Sequence, residues 1–279
     1  MNVDRAVFVL RYIFHRNLGT EHTDQLFQYW ILKLLFCEIT KGPIARASAM
    51  AHVARGYQAR RRFTEAESLL RLSLPERERP FGVHAPVVIL HWVELAKVYE
   101  HAGKVEKCQD VLQAGVQSAT ITYGPDSNIT CGILKKLCGS LEREGKLDEY
   151  NEILQRHICT LQEKHGVAHP KGLELLMQLG TINKRHSRIT AAQEAYNQVF
   201  LIQKGHNGPD HVETLRTAMR LARTYGLGEC HWHLYKAKAL YKRAMAGLAM
   251  CLGSEDEETL EARFEAEHSL RETRSISGR

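Results

Sequence analysis

The chain has 279 residues, 44% of them hydrophobic and 25% charged, the balance of a globular protein and not of a disordered one. Its formal net charge of +6 is too modest for this length to argue for nucleic acid, and no apolar run approaches the ~18 residues of a membrane span. Seven cysteines, odd in number and without paired short spacing, disfavour a disulfide framework and favour a reducing, cytoplasmic location.

The first residues carry Asp4, Arg5 and Arg11 among apolar neighbours, unlike the uninterrupted apolar stretch of a secretory signal. Further on, Leu18-Gly19-Thr20-Glu21-His22 echoes Asn207-Gly208-Pro209-Asp210-His211, yet Gly19 lies only 23 residues before Gly42. Residues 1–41 therefore read as degenerate or truncated repeat helices.

Beyond Gly42 a period takes over. Gly82, Gly124, Gly166 and Gly208 stand 42 residues apart, and Gly253 follows after 45. A fixed spacing in this range marks a stacked repeat protein. In one unit Pro86 suits a first helical turn. Ile89, Trp92, Val93, Ala96 and Tyr99 then recur at helical steps, and Gly103 ends the helix. A second helix runs from about Val105 to Thr122 and stops at Gly124-Pro125. Each unit is thus a helical hairpin, and residues 42–252 hold five of them. The column Ala54, Ala96, Cys138, Gly180, Ala222 is small throughout, as close approach of two helices requires. In the second helices Ala66, Cys108, Tyr150, Ala192 and Ala237 align, as do Leu70, Leu112, Leu154, Tyr196 and Tyr241. The last unit needs three extra residues, within Gly226–Leu234. Residues 253–272, with Glu258, Glu261, Glu265 and Glu267, read as a polar helix capping the stack, and 273–279 as a disordered tail.

Little in the chain suggests catalysis. Cys230-His231-Trp232-His233 offers soft metal ligands, but no second pair stands at a recognisable distance, so an ordinary insertion loop is the better reading. Cys138 fills the small packing column and reads as a buried thiol. His84, His169 and His211 fall in the links between units, where capping and packing explain them. No phosphate-binding Gly-rich loop, nucleophile elbow or His-Glu-x-x-His occurs. The expectation is a protein with no enzymatic activity, no cofactor and no metal.

The pattern Trp92-Leu95-Ala96-Tyr99, with Ala237-Tyr241-Ala244 in a second helix, resembles the tetratricopeptide repeat (TPR). The usual unit is ~34 residues. The longer unit here, with its Gly-x-x-His-Pro-like link, looks like the kinesin-light-chain type, a type that also forms sensor arrays of some signalling NTPases. The resemblance implies an all-α, right-handed superhelical solenoid of antiparallel helix hairpins, whose concave face, made by the first helices, receives a partner peptide. Carried over by register, the partner-binding groove comprises Arg55, Val93, Lys97, Lys135, Arg143, Met177, Thr181, Arg185, Met219 and Arg223, with Gly139 and Glu100 beside them. Cations outnumber carboxylates along it, so the expected partner is a protein or peptide, acidic with apolar anchors. No nucleic acid and no membrane are expected. The asparagine-rich pattern that clamps a C-terminal carboxylate is missing. The resulting function is a non-catalytic, cytoplasmic protein-interaction scaffold. Two alternatives stay open: the sensor or regulatory array of a larger signalling NTPase-type protein, and a helical-repeat RNA binder, although the period does not fit a one-base-per-repeat reader.

Overall fold

A computed structural model of the protein describes residues 31–34, 42–227 and 231–276, with the side chains of 231 and 269–276 left aside. Every regular element among the described residues is an α-helix. The short run 31–34 precedes α1 (Pro43–Ala59), α2 (Phe63–Phe81), α3 (Pro86–His101), α4 (Val105–Tyr123) and α5 (Asn128–Arg143). After these come α6 (Leu147–His165), α7 (Pro170–Arg185), α8 (Ile189–His206), α9 (Val212–Gly226), α10 (His231–Leu252) and α11 (Glu257–Ile276). No helix among the described residues is long and apolar enough to cross a membrane. The expectations for residues 1–30, 35–41 and 277–279 lie outside the described residues.

The chain divides into two compact units on either side of the Gly145–Lys146 bond. In the first, α1–α2 and α3–α4 form antiparallel hairpins, α2 packs on α3, and α5 packs on α4. In the second, α6 packs on α7, the hairpins α7–α8 and α9–α10 follow, and α11 lies on α10. Within each unit the helices therefore pack on their neighbours in sequence, the arrangement of an all-α helical repeat.

Two backbone positions explain the period. Where second helices end, Gly82, Gly124 and Gly166 take φ of 82°, 93° and 90° with ψ of 156°, 159° and 160°. That region is essentially closed to any residue with a Cβ. Each of these glycines still donates its N–H to the carbonyl four residues back, so the helix ends satisfied as the chain turns away. Inside the hairpins, Arg61, Gly103, Gly145 and Ser187 all have φ between 58° and 70° and are again 42 residues apart. The links are stitched by side chains as well. His84 Nδ1 lies 3.0 Å from Ser118 Oγ, Thr130 and Thr214 donate to the carbonyls of Gly124 and Gly208, and His211 Nδ1 accepts from the N–H of Glu213 to cap α9. Of the three link histidines, His211 thus caps a helix and His84 pairs with the Ser118 side chain, while His169 is stacked on His165 with ring centroids 4.8 Å apart.

The core follows the helical columns. Ala54, Ala96, Cys138 and Ala222 are buried, and at Gly180 an added Cβ would stand 2.7 Å from Cε1 of Tyr196. The second-helix positions Ala66, Cys108, Tyr150, Ala192 and Ala237 are buried too, as are Leu70, Leu112, Leu154, Tyr196 and Tyr241. Burial pushes the Cys138 thiol up to about 12, which leaves it protonated and inert.

Candidate functional site

In the first unit α3 presents Val93, Lys97 and Glu100 at four- and three-residue steps, hence on one helix face. The neighbouring first helix, α5, presents Lys135, Lys136, Gly139 and Arg143 toward it. Between them opens a cleft of about 170 Å³, floored by Cys108 and Leu112 of α4. A small-molecule pocket usually holds about 300–1,000 Å³. This one is sized for one or two side chains of a peptide. Gly139 is part of the reason for the opening: a Cβ there would meet nothing within 4 Å.

The charges in the cleft are not equivalent. Arg143 Nη2 stands 2.7 Å from Glu100 Oε1, and its Nε donates to the Gly139 carbonyl at 3.2 Å. That guanidinium is committed across the two helices. The ammonium groups of Lys97, Lys135 and Lys136 have no ion pair among the described residues. Four of the residues expected in the groove, Val93, Lys97, Lys135 and Arg143, therefore meet in one cleft.

No protein-family model and no curated protein matches this chain. Solved structures do. It is 21% identical to nearly identical TPR-like repeats of a Podosopora anserina protein described as a kinesin light chain, over 76% of this chain and 99% of that one, with a TM-score of 0.47. It is 16% identical to BtubC (BKLC) from P. vanneervenii, over 85% and 95%, with a TM-score of 0.45. The TPR2AB domain of yeast Sti1, in its complex with pHSP90, is 13% identical over 95% and 98%, with a TM-score of 0.34. Several of the solved structures it matches are described as TPR-repeat proteins.

The remaining groove positions lie elsewhere. Arg55 on α1 is exposed; its Nη2 is 3.0 Å from His52 Nδ1 and its Nε 3.7 Å from Glu94 Oε1 on α3. Partial burial, with Arg55, Lys33 and Arg77 nearby, holds the His52 imidazole below its ordinary value, so it accepts from Arg55 as the neutral ring. In the second unit, Met177 is half-buried against Tyr196, and Thr181 Oγ1 donates to the Met177 carbonyl and lies 2.9 Å from Tyr196 Oη. Arg185 is exposed at the end of α7.

Two of the expectations need correcting. Met219 is 6% exposed, packed with Leu215, Ala218, Ala222 and Tyr241, and with Ala262 and Ala266 of α11. It is core, not a contact for a partner, because α11 covers that face of α9. Arg223 is not a free groove cation either. It stands 2.7 Å from Glu265 and 2.9 Å from Glu261, both on α11. The hydrogen bond that Arg223 donates to Glu265 raises the Arg223 pKa further, despite the opposing effect of burial. Arg216 grips Glu258 with two bonds of 2.8 and 2.7 Å in the same way. The acidic residues of α11 thus neutralise the basic face of α9.

One recurring feature escaped the reading of the residues. Glu67, Gln109, Asn151 and Gln193 stand 42 apart, each one residue after the small or aromatic second-helix column. Every one of them bonds to the first helix of the following hairpin. Glu67 binds Tyr99, Gln109 Nε2 donates to Ser140 Oγ, Asn151 pairs with Asn183, and Gln193 Nε2 donates to the Thr224 carbonyl. Glu67, Gln109 and Gln193 are buried. Its trace in the sequence is a polar column in register with the neighbouring apolar one.

No group of three or more metal-ligating side chains occurs among the described residues. Cys230 lies outside them.

Proposed function

We propose that this chain is a protein-interaction scaffold, cytoplasmic and without catalytic activity, that receives a segment of a partner protein in the cleft between α3 and α5. The observation carrying this reading is the meeting of Val93 with Lys97, Lys135 and Lys136 around a space of side-chain size. An apolar wall beside uncompensated ammonium groups suits a peptide with an apolar anchor next to an acidic residue, since complementary charge speeds encounter and fixes orientation. The groove cations engaged by carboxylates, Arg55, Arg143 and Arg223, act in this reading as braces between successive first helices.

Two variants test it. Lys97→Glu with Lys135→Glu removes the positive field, and Gly139→Leu fills the cleft with a side chain that the helix tolerates. Both should keep the helical circular dichroism spectrum. Both should weaken binding of a labelled acidic peptide carrying a leucine anchor, and the first should also flatten its salt dependence. Undiminished binding by Gly139→Leu would move the site out of this cleft.

A further inference from the structure

The charge around the cleft exceeds what a single carboxylate would neutralise. Lys97 on α3 and Lys135 and Lys136 on α5 bring three ammonium groups with no ion pair among the described residues, while Arg143 is already matched by Glu100. The space they border admits one or two side chains. An aspartate or glutamate would bring one negative charge into it. A phosphorylated serine or threonine brings about −1.5 to −2 and three strong acceptor oxygens. Lysine, a point charge on a flexible stem, suits a phosphoryl group, whose acceptors point in several directions. The Ser140 hydroxyl also borders the cleft, tethered by Gln109 at 3.4 Å.

We propose that the cleft between α3 and α5 recognises a phosphorylated serine or threonine side chain in the partner segment, held by Lys97, Lys135 and Lys136. Val93 then meets the neighbouring apolar residue of the peptide. The inference rests on the reading of this cleft as the peptide site, and it makes that site a reader of the partner's modification state.

Fluorescence anisotropy with the full chain tests it. The probe is a labelled peptide, Gly-Glu-Leu-Xaa-Glu-Gly, with Xaa as phosphoserine, glutamate or serine. The phosphoserine peptide should bind about tenfold tighter than the glutamate one at neutral pH. That advantage should shrink as the pH falls below about 6, where the second phosphate ionisation is lost while glutamate stays charged. The charged or titratable groups facing the ligand are Lys97 and Glu100 from α3, Cys108 from α4, and Lys135, Lys136 and Arg143 from α5. They are common to both peptides, so the difference between the peptides isolates the phosphate. Lys97→Gln with Lys135→Gln should abolish the advantage and leave the helical spectrum unchanged. Equal affinity for the phosphoserine and glutamate peptides, or an advantage that persists at low pH, overturns the phosphoryl assignment while leaving the peptide reading in place. Binding by none of the three overturns both. Displacement of the labelled phosphopeptide by inorganic phosphate at equal concentration makes the ligand a free phosphate and overturns the modified peptide as its source.

Discussion

The side-chain amides of Asn151 on α6 and Asn183 on α7 exchange two hydrogen bonds, each of 3.1 Å. Asn183 is 1% exposed, and it also donates to the Leu179 carbonyl within its own helix. The pair belongs to the polar column that ties α2, α4, α6 and α8 each to the next first helix. Such a tie contributes direction as well as energy, because an amide pair is satisfied in one register only.

Asn151→Leu should destabilise the protein by roughly 1–3 kcal/mol, since it leaves a buried amide short of a partner. Adding Asn183→Leu should recover part of that loss, because both polar groups are then gone. Urea denaturation of the two single variants and the double variant measures the coupling. Simple additivity would mean that the amides do not interact.

Gly180 and Tyr196 touch so closely that Gly180→Ala should destabilise in spite of alanine's better helix propensity. The new Cβ would lie 2.7–2.9 Å from three ring atoms, and a buried ring held by its own hydrogen bond to Thr181 has little room to retreat. Overpacking of this kind costs about 1–3 kcal/mol. Ala96→Leu, at the matching position in α3, should behave alike, and thermal unfolding reads both.

Ser187→Gly should have the opposite sign. Ser187 holds φ of 59° where the two preceding hairpins use Gly103 and Gly145. Relieving left-handed strain on a residue with a Cβ is expected to stabilise by about 1 kcal/mol. A lower midpoint in urea would show that the serine makes a compensating contact.

Arg223→Glu should destabilise on the order of 1–3 kcal/mol, because it strips Glu261 and Glu265 of their partner and sets a third carboxylate beside them. The loss should appear first as fraying of α11, read by hydrogen exchange. It should not be taken as evidence about partner binding, for which Lys97 and Lys135 are the clean positions.

Acid should weaken the fold through His91. That imidazole is 1% exposed, its Nε2–H donates to the Leu70 carbonyl at 2.9 Å, and its Nδ1 has no partner among the described residues. Burial holds its pKa below the ordinary 6.5, the bond to Leu70 opposing and Arg77 reinforcing the shift. The unfolded chain therefore binds the proton first. Stability from this group is fully present above about pH 6.5 and is lost as the pH falls through the lower folded value. His91→Gln should flatten the curve between about pH 7 and 5. An unchanged slope would place the acid sensitivity elsewhere.

The hairpins, their period and the small packing column were all legible in the residues, and the physical reason is locality. A link that enters a region closed to every residue but glycine must show glycine, and a helix that approaches another closely must show Ala, Cys or Gly at the contact. The cleft was legible only in part. Register put Val93, Lys97, Lys135 and Arg143 on one face each of α3 and α5, and those faces do meet. Which cations stay unpaired was not legible. Arg143 and Glu100, Arg55 and Glu94, and Arg223 with Glu261 and Glu265 are 38 to 43 residues apart, and their pairing depends on where neighbouring helices set long side chains. Met219 makes the same point for an apolar residue. Its column is the one that supplies Val93 to the cleft, but α11 lies over it, and burial is decided by what covers a residue rather than by where it stands in the repeat. Local backbone geometry and periodicity belong to the sequence; occupancy of a face, and with it the free charge that a partner would meet, belongs to the tertiary structure.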